Sequence, residues 1–169
     1  MIRSPKLYRM VLAALFSAAI TVMTAYLLHI PIPTGGYIHL GDALIYLAAC
    51  LLPTPYAAAA AAVGAGLADL LTAPMWVLPT VIIKTGVAML FTSRSEKLLC
   101  ARNRAAVVLA GILSPAAYAL AGCVLAGTAA AFVPQFLGTL VQGIGSGALF
   151  LVLAPALDAA ELKRVLRAA

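Results

Sequence analysis

Residues 76–91 read WVLPTVIIKTGVAMLF, an apolar run broken by a single charge, Lys84. The other ten Lys and Arg residues fall in three short clusters: Arg3, Lys6 and Arg9; Arg94, Lys97, Arg102 and Arg104; Lys163, Arg164 and Arg167. A cation at bilayer depth is costly unless it is paired or faces water, and such residues mark functional sites. Lys84 is therefore the first candidate residue of the chain.

Working outward, the 169 residues are 64% hydrophobic and only 9% charged. That balance excludes an ordinary soluble domain and fits an all-α integral membrane protein. At about 20 apolar residues per span, the length allows about five to seven helices with short loops, as one domain over residues 1–169. The run from Met10 to Ile30 is too long for the apolar region of a cleavable signal, and no small-residue cleavage site follows it. The net charge of +6 does not form a nucleic-acid patch, because the bases flank apolar segments and act as topology signals. Cys50, Cys100 and Cys123 show no CxxC spacing and are expected to be packing residues, with no disulfide, metal site or cofactor.

Turn residues divide the chain into six apolar segments, about Tyr8–Ile30, Tyr37–Leu52, Tyr56–Leu71, Trp76–Phe91, Ala105–Gly127 and Pro134–Leu157. Proline marks every boundary but the charged one between Ser93 and Arg104. Six crossings with both termini cytoplasmic put all three basic clusters inside, whereas five or seven would leave one outside. The second and third segments are short for a perpendicular span, so capping by the first loop or local irregularity is expected there. The first loop, residues 31–41, is expected to act as an outer lid, and residues 158–169 as a cytoplasmic surface helix with a solvated end.

Two of the five acids, Asp42 and Asp69, stand apart from the bases in apolar surroundings. In the six-helix topology both lie near the outer ends of their helices. Lys84 sits eight residues beyond Trp76, roughly 12 Å down the axis at about 1.5 Å per residue. Its side chain can reach back to meet either acid. Two readings follow: Lys84 neutralises one carboxylate and fixes packing, or the three charges line a small polar pocket.

On the last segment Gln135, Thr139, Gln142 and Ser146 share one helical face, either for interhelical hydrogen bonds or for a ligand. Tyr118 is placed to stack on a flat ring or to fill the core. Tyr37 and His39 stand in the glycine-containing first loop and are candidate ligand contacts. Trp76 is expected to anchor the membrane interface. Ala14 and Ala18 form a small-xxx-small pair, repeated by Gly143 and Gly147; such pairs serve internal packing or contact with another subunit.

Three stretches resemble the substrate-binding S components of energy-coupling factor (ECF) vitamin transporters: GYIHLGDA (36–43), GAGLADLL (64–71) and PTVIIKT (79–85). The resemblance covers roughly 14–91 well and the remainder only as hydrophobic helices, and it rests on the three stretches taken together. It implies a multi-pass subunit of a prokaryotic plasma membrane, with six helices, capturing a vitamin or micronutrient from outside. It also implies partners, a transmembrane coupling (T) subunit and two cytoplasmic ATPases, with Ala14 and Ala18 matching the family's T-contacting motif. The ligand suggested is a compact nitrogen heterocycle: a queuosine precursor, a hydroxymethylpyrimidine or thiamine-like molecule, or a pyridoxine-like one. The chain lacks GxxxxGK[ST], so ATP hydrolysis falls to the partners.

Two other classes remain to be weighed. An autonomous proton-coupled transporter would relay charge through Asp42, Asp69 and Lys84. An intramembrane enzyme has less support, since neither HExxH nor GxSxG is present.

Overall fold

The computed structural model describes residues 4–27, 29–31 and 37–168, with residues 167 and 168 described by backbone alone. Residues 32–36 of the expected lid, together with Arg3 and the Arg167 side chain, lie outside that description. The helices are α1 (Pro5–Ala25), α2 (Gly41–Leu51), α3 (Thr54–Thr72), α4 (Val77–Leu90, after a 3₁₀ turn at Pro74–Trp76), α5 (Ala101–Ala126), α6 (Phe132–Ala159, after a 3₁₀ turn at Ala129–Ala131) and α7 (Leu162–Ala168). Four apolar stretches are long enough to cross a membrane: Pro5–Ala25, Thr54–Thr72, Ala101–Ala126 and Ala129–Ala159. Gly41–Leu51 and Pro74–Leu90 are apolar but shorter.

Large apolar side chains face outward, among them Leu78, Ile82 and Val124 at 71%, 64% and 81% exposure. A water-soluble fold would bury such residues; a lipid-facing one has no need to. Inside, Tyr46 stacks on Phe91 at 4.8 Å and meets the edge of Phe150 at 5.9 Å, joining α2, α6 and the end of α4.

Local chemistry sets the boundaries. Pro5 and Pro55 stand in the first turns of α1 and α3, where a missing N–H costs nothing. Gly127 closes α5 at φ 65, a left-handed conformation that favours glycine, and Thr128 N–H then bonds to Cys123 O. The second segment departs from the sequence expectation. Tyr37 and Ile38 form a strand paired antiparallel with Pro31 and Ile30, and the helix begins only at Gly41. Backbone pairing with β1 (Ile30–Pro31) competes successfully with helix extension, and leaves α2 at roughly 17 Å, too short to cross alone.

Contacts between helices show that they alternate in direction. Thr21 Oγ1 donates to Gly64 O at 2.9 Å, tying α1 to α3. Gly143 approaches Gly111 while Gly147 approaches Val107, so α5 and α6 run antiparallel. One end of the bundle gathers β1 and β2 (Tyr37–Ile38), the start of α2, the end of α3, the start of α4, the end of α5 and the start of α6. The opposite end carries Lys6, Arg9, the 92–104 segment and α7.

That opposite end is tightly closed. Asp158 accepts the backbone N–H of Leu98 and Leu99 at 2.7 and 3.3 Å. Lys163 Nζ donates to Ser93 O and Ser95 O at 3.2 and 2.6 Å. The start of α7 is thus docked through a buried lysine, where the sequence suggested a solvated end.

Close approach of α1 and α3 depends on Gly64: a Cβ there would lie 2.7 Å from Ser17 O and 2.9 Å from Ile20 Cβ. Gly64→Val is expected to destabilise the fold by about 1–3 kcal/mol, read as a lowered midpoint of thermal unfolding in detergent. Gly86→Ala, which meets nothing within 4 Å, is expected to leave that midpoint unchanged or slightly raised.

Candidate functional site

At the end of the bundle where α2 begins, Lys84 meets Asp42. Its Nζ lies 2.8 Å from both carboxylate oxygens and directs its hydrogen bond at Oδ2. Gln142 Nε2 donates to the same oxygen at 3.0 Å. Lys84 and Asp42 are only 1% and 2% exposed, and Nζ lies 4.9 Å from the centroid of the Tyr118 ring. Helices α2, α4, α5 and α6 therefore converge on one buried charge pair.

Next to this pair is a cavity lined by Tyr37, His39, Asp69, Trp76, Thr80, Tyr118, Gln135, Thr139 and Gln142. It admits the centres of water molecules over about 30 Å³, room for roughly two waters. Tyr37 closes one side: its hydroxyl donates to Asp69 Oδ1, and its ring stacks on His29 at 4.0 Å. Burial, and then the adjacent Asp69 carboxylate, push the Tyr37 phenol up, so it stays a donor. Across the cavity Thr80 Oγ1 and Tyr118 Oη are hydrogen-bonded at 2.8 Å. Trp76 lies 5.9 Å from Tyr118 between ring centroids, and its indole N–H is buried without a partner.

His39 enters from the loop before α2. Its Nδ1 accepts the Gly41 N–H at 3.0 Å and lies 3.5 Å from Thr24 Oγ1, which assigns the proton of the neutral ring to Nε2. Burial pulls its pKa down to about 4. The neighbouring Asp42 opposes that shift; Lys84 and His29 reinforce it.

Six of the eight residues selected from sequence line this cavity: Tyr37, His39, Asp69, Tyr118, Gln135 and Gln142. Asp42 and Lys84 are not among its lining residues; they lie behind it, in contact with Gln142 and Tyr118. Trp76 is corrected. It was expected to anchor the interface, yet it is 3% exposed and lines the cavity, because packing on Tyr118 holds it inward. Thr80 was not selected, and Thr139 entered only as a member of the polar stripe on the last segment. A signal existed for Thr80 and Trp76, since residues 76, 80 and 84 recur at intervals of four and share a face with the lysine.

Ser146, the last residue of the polar stripe, is buried farther along α6 and leaves Oγ unpartnered. Gly143 and Gly147 pack against α5. Ala14 and Ala18 are exposed, while Ala13, Ser17 and Ile20 form the buried face of α1.

A family model described as "ECF-type riboflavin transporter, S component" matches residues 5–159. A Pyrococcus woesei protein, described as an uncharacterized protein in the gap 3′ region, is 36% identical over 129 residues, covering 75% of this chain and 85% of that relative. No solved structure matches the chain.

Two outcomes follow from this geometry. Lys84→Met leaves Asp42 buried without its counter-ion and is expected to cost about 3–5 kcal/mol; combining it with Asp42→Asn should cost less than the two single changes together, read by thermal unfolding. For His39 the folded pKa, about 4, lies below the reference of 6.5, so the unfolded chain binds the proton more readily between those values. Its contribution is complete above about pH 6.5 and is lost as pH falls toward 4. Unfolding at pH 7 and pH 4.5 should therefore show His39→Asn losing less stability than wild type on acidification, by about 2–3 kcal/mol.

Proposed function

The chain belongs to the ECF-type riboflavin transporter S component family, the substrate-binding membrane subunits of ECF transporters, and from that premise we propose that it captures a compact nitrogen heterocycle from outside the cell. The observation that carries this reading is the cavity itself. Aromatic rings, two amides, two threonines and one carboxylate surround it, and the Tyr37 to Asp69 hydrogen bond spans its edge.

The ligand favoured is a queuosine precursor, a hydroxymethylpyrimidine or thiamine-like molecule, or a pyridoxine-like one. The family description names riboflavin, whose three fused rings need far more displacement of the lining than a single ring does. Even one ring exceeds the present space, so entry requires the Tyr37 side chain to move.

The proposed topology has six spans, both termini in the cytoplasm and the cavity facing out. It is supported by the alternation of helices, which gathers Lys6, Arg9, the 94–104 bases and the start of α7 at the end away from the cavity. Helix α2 is short for a span; the 37–40 loop precedes it at the cavity end and the Pro53 turn follows at the other.

ECF S components work with T and ATPase subunits, and the proposed contact with the T subunit is the Ala14 and Ala18 face of α1. Both alanines are exposed on the side of α1 turned away from α3, next to Leu15 at 62% exposure. A flat small-residue surface lets a second helix approach closely. Capture here and ATP hydrolysis in partners then divide the transport cycle.

Proteoliposomes test the division of labour. With T and ATPase subunits present, uptake of a radiolabelled panel containing hydroxymethylpyrimidine, thiamine, pyridoxine and riboflavin is expected to require internal ATP. Ala14→Phe with Ala18→Phe should lower uptake at least tenfold while leaving equilibrium binding unchanged. Uptake by the isolated chain under a proton gradient, with no ATPase, would contradict the proposal and favour a proton-coupled carrier.

A further inference from the structure

The cavity's chemistry narrows the ligand further than its size does. Each buried or half-buried acid of the bundle needs something to offset the loss of hydration. Asp42 has the Lys84 ammonium 2.8 Å from both oxygens and the Gln142 amide on one of them. Asp158 has two backbone N–H donors. Asp69 is 5% exposed, and its carboxylate receives the Tyr37 hydroxyl, with the Thr80 hydroxyl as a neighbour. Among the described residues no Lys, Arg or His nitrogen lies within 4.0 Å of it.

Asp69 also differs in where it points. It lines the cavity, whereas the Lys84 and Asp42 pair is sealed behind the lining. No Lys or Arg is among the lining residues, so an anionic ligand would face a carboxylate with no compensating cation. The lining also includes the rings of Tyr37, Trp76 and Tyr118, and an aromatic face attracts a cation, more strongly where water is excluded. The Trp76 indole N–H, buried and unpartnered, requires an acceptor from whatever fills the space.

We propose that Asp69 is the counter-ion for a positively charged aromatic nitrogen heterocycle, one that also presents a hydrogen-bond acceptor to Trp76. The inference rests on the capture reading and deepens it. The bound ring brings the charge that Asp69 lacks, while Lys84 holds Asp42 out of competition for the ligand. Neutral rings of the same shape leave the carboxylate uncompensated and bind less well; phosphorylated ones are repelled.

The test uses the purified full chain in lipid nanodiscs and probes matched in shape. 1-Methylnicotinamide carries a fixed positive charge and nicotinamide is nearly the same molecule without it. Thiamine supplies a larger fixed cation, riboflavin a neutral tricycle and pyridoxal phosphate an anion. Equilibrium binding and thermal stabilisation are read for wild type, Asp69→Asn and Asp69→Glu. Wild type is expected to bind at least one cation tenfold or more tightly than the neutral and anionic probes. Asp69→Asn should bring the cation-to-neutral ratio close to one with an unfolding midpoint like that of wild type, and Asp69→Glu should keep most of the preference. An equal response to charged and neutral rings, or a preference that survives in Asp69→Asn, overturns the inference. Stabilisation by riboflavin alone overturns it while upholding capture of a heterocycle. Silence of every probe counts against the capture reading as well.

Discussion

An ammonium group 1% exposed inside an apolar helix persists only beside a counter-charge, and for Lys84 that group is Asp42, 2.8 Å away. The pair joins the beginning of α2 to the middle of α4, and the Gln142 amide brings in α6. Tyr118 of α5 presents its ring to the same ammonium. A charge pair in low dielectric is sensitive to geometry, because removing either member strands the other without water. Four helices are thus held in one arrangement at the depth where the cavity begins. Further in, Tyr46, Phe91 and Phe150 continue the packing with aromatic contacts alone.

Satisfying Asp42 internally has a consequence for Asp69. With the lysine committed, the cavity keeps a carboxylate whose strong local contact is a loop tyrosine. Tyr37 therefore links the segment before α2 to the cavity, its hydroxyl held by the Asp69 carboxylate. The opposite end is built differently, with Lys163 and Asp158 fastening the start of α7 and the 93–99 segment through backbone groups. At the cavity end the Tyr37 to Asp69 hydrogen bond closes the edge instead.

Much of this arrangement was legible in the residues. The apolar helical character followed from composition, with proline and charge marking breaks between segments, and the polar stripe from spacings along 135–146. The isolation of Lys84, Asp42 and Asp69 pointed to a shared region. Spacing along α4 could not decide which acid the lysine meets, since that depends on the depth at which α2 and α3 pack. Tyr37 and Ile38 read as part of a helix because their hydrophobic pattern is compatible with one; only pairing with Ile30 and Pro31 makes them a strand. Trp76 near a segment end fits an interface anchor equally well until Tyr118 turns it inward. Lys163 looked solvated in a basic surface sequence, yet two carbonyls of a segment some seventy residues earlier give it buried partners. In each case a distant element overrode a local pattern.

The central claim is that the cavity beside Asp69 holds a small ligand taken from outside. Native mass spectrometry of the chain, extracted gently from membranes of cells grown in rich medium, tests it most directly. The account expects a co-purified heterocycle at one per chain, retained by wild type and lost from Asp69→Asn while that variant remains folded. An empty wild-type chain under conditions that preserve its fold, or a ligand retained equally by Asp69→Asn, would contradict it.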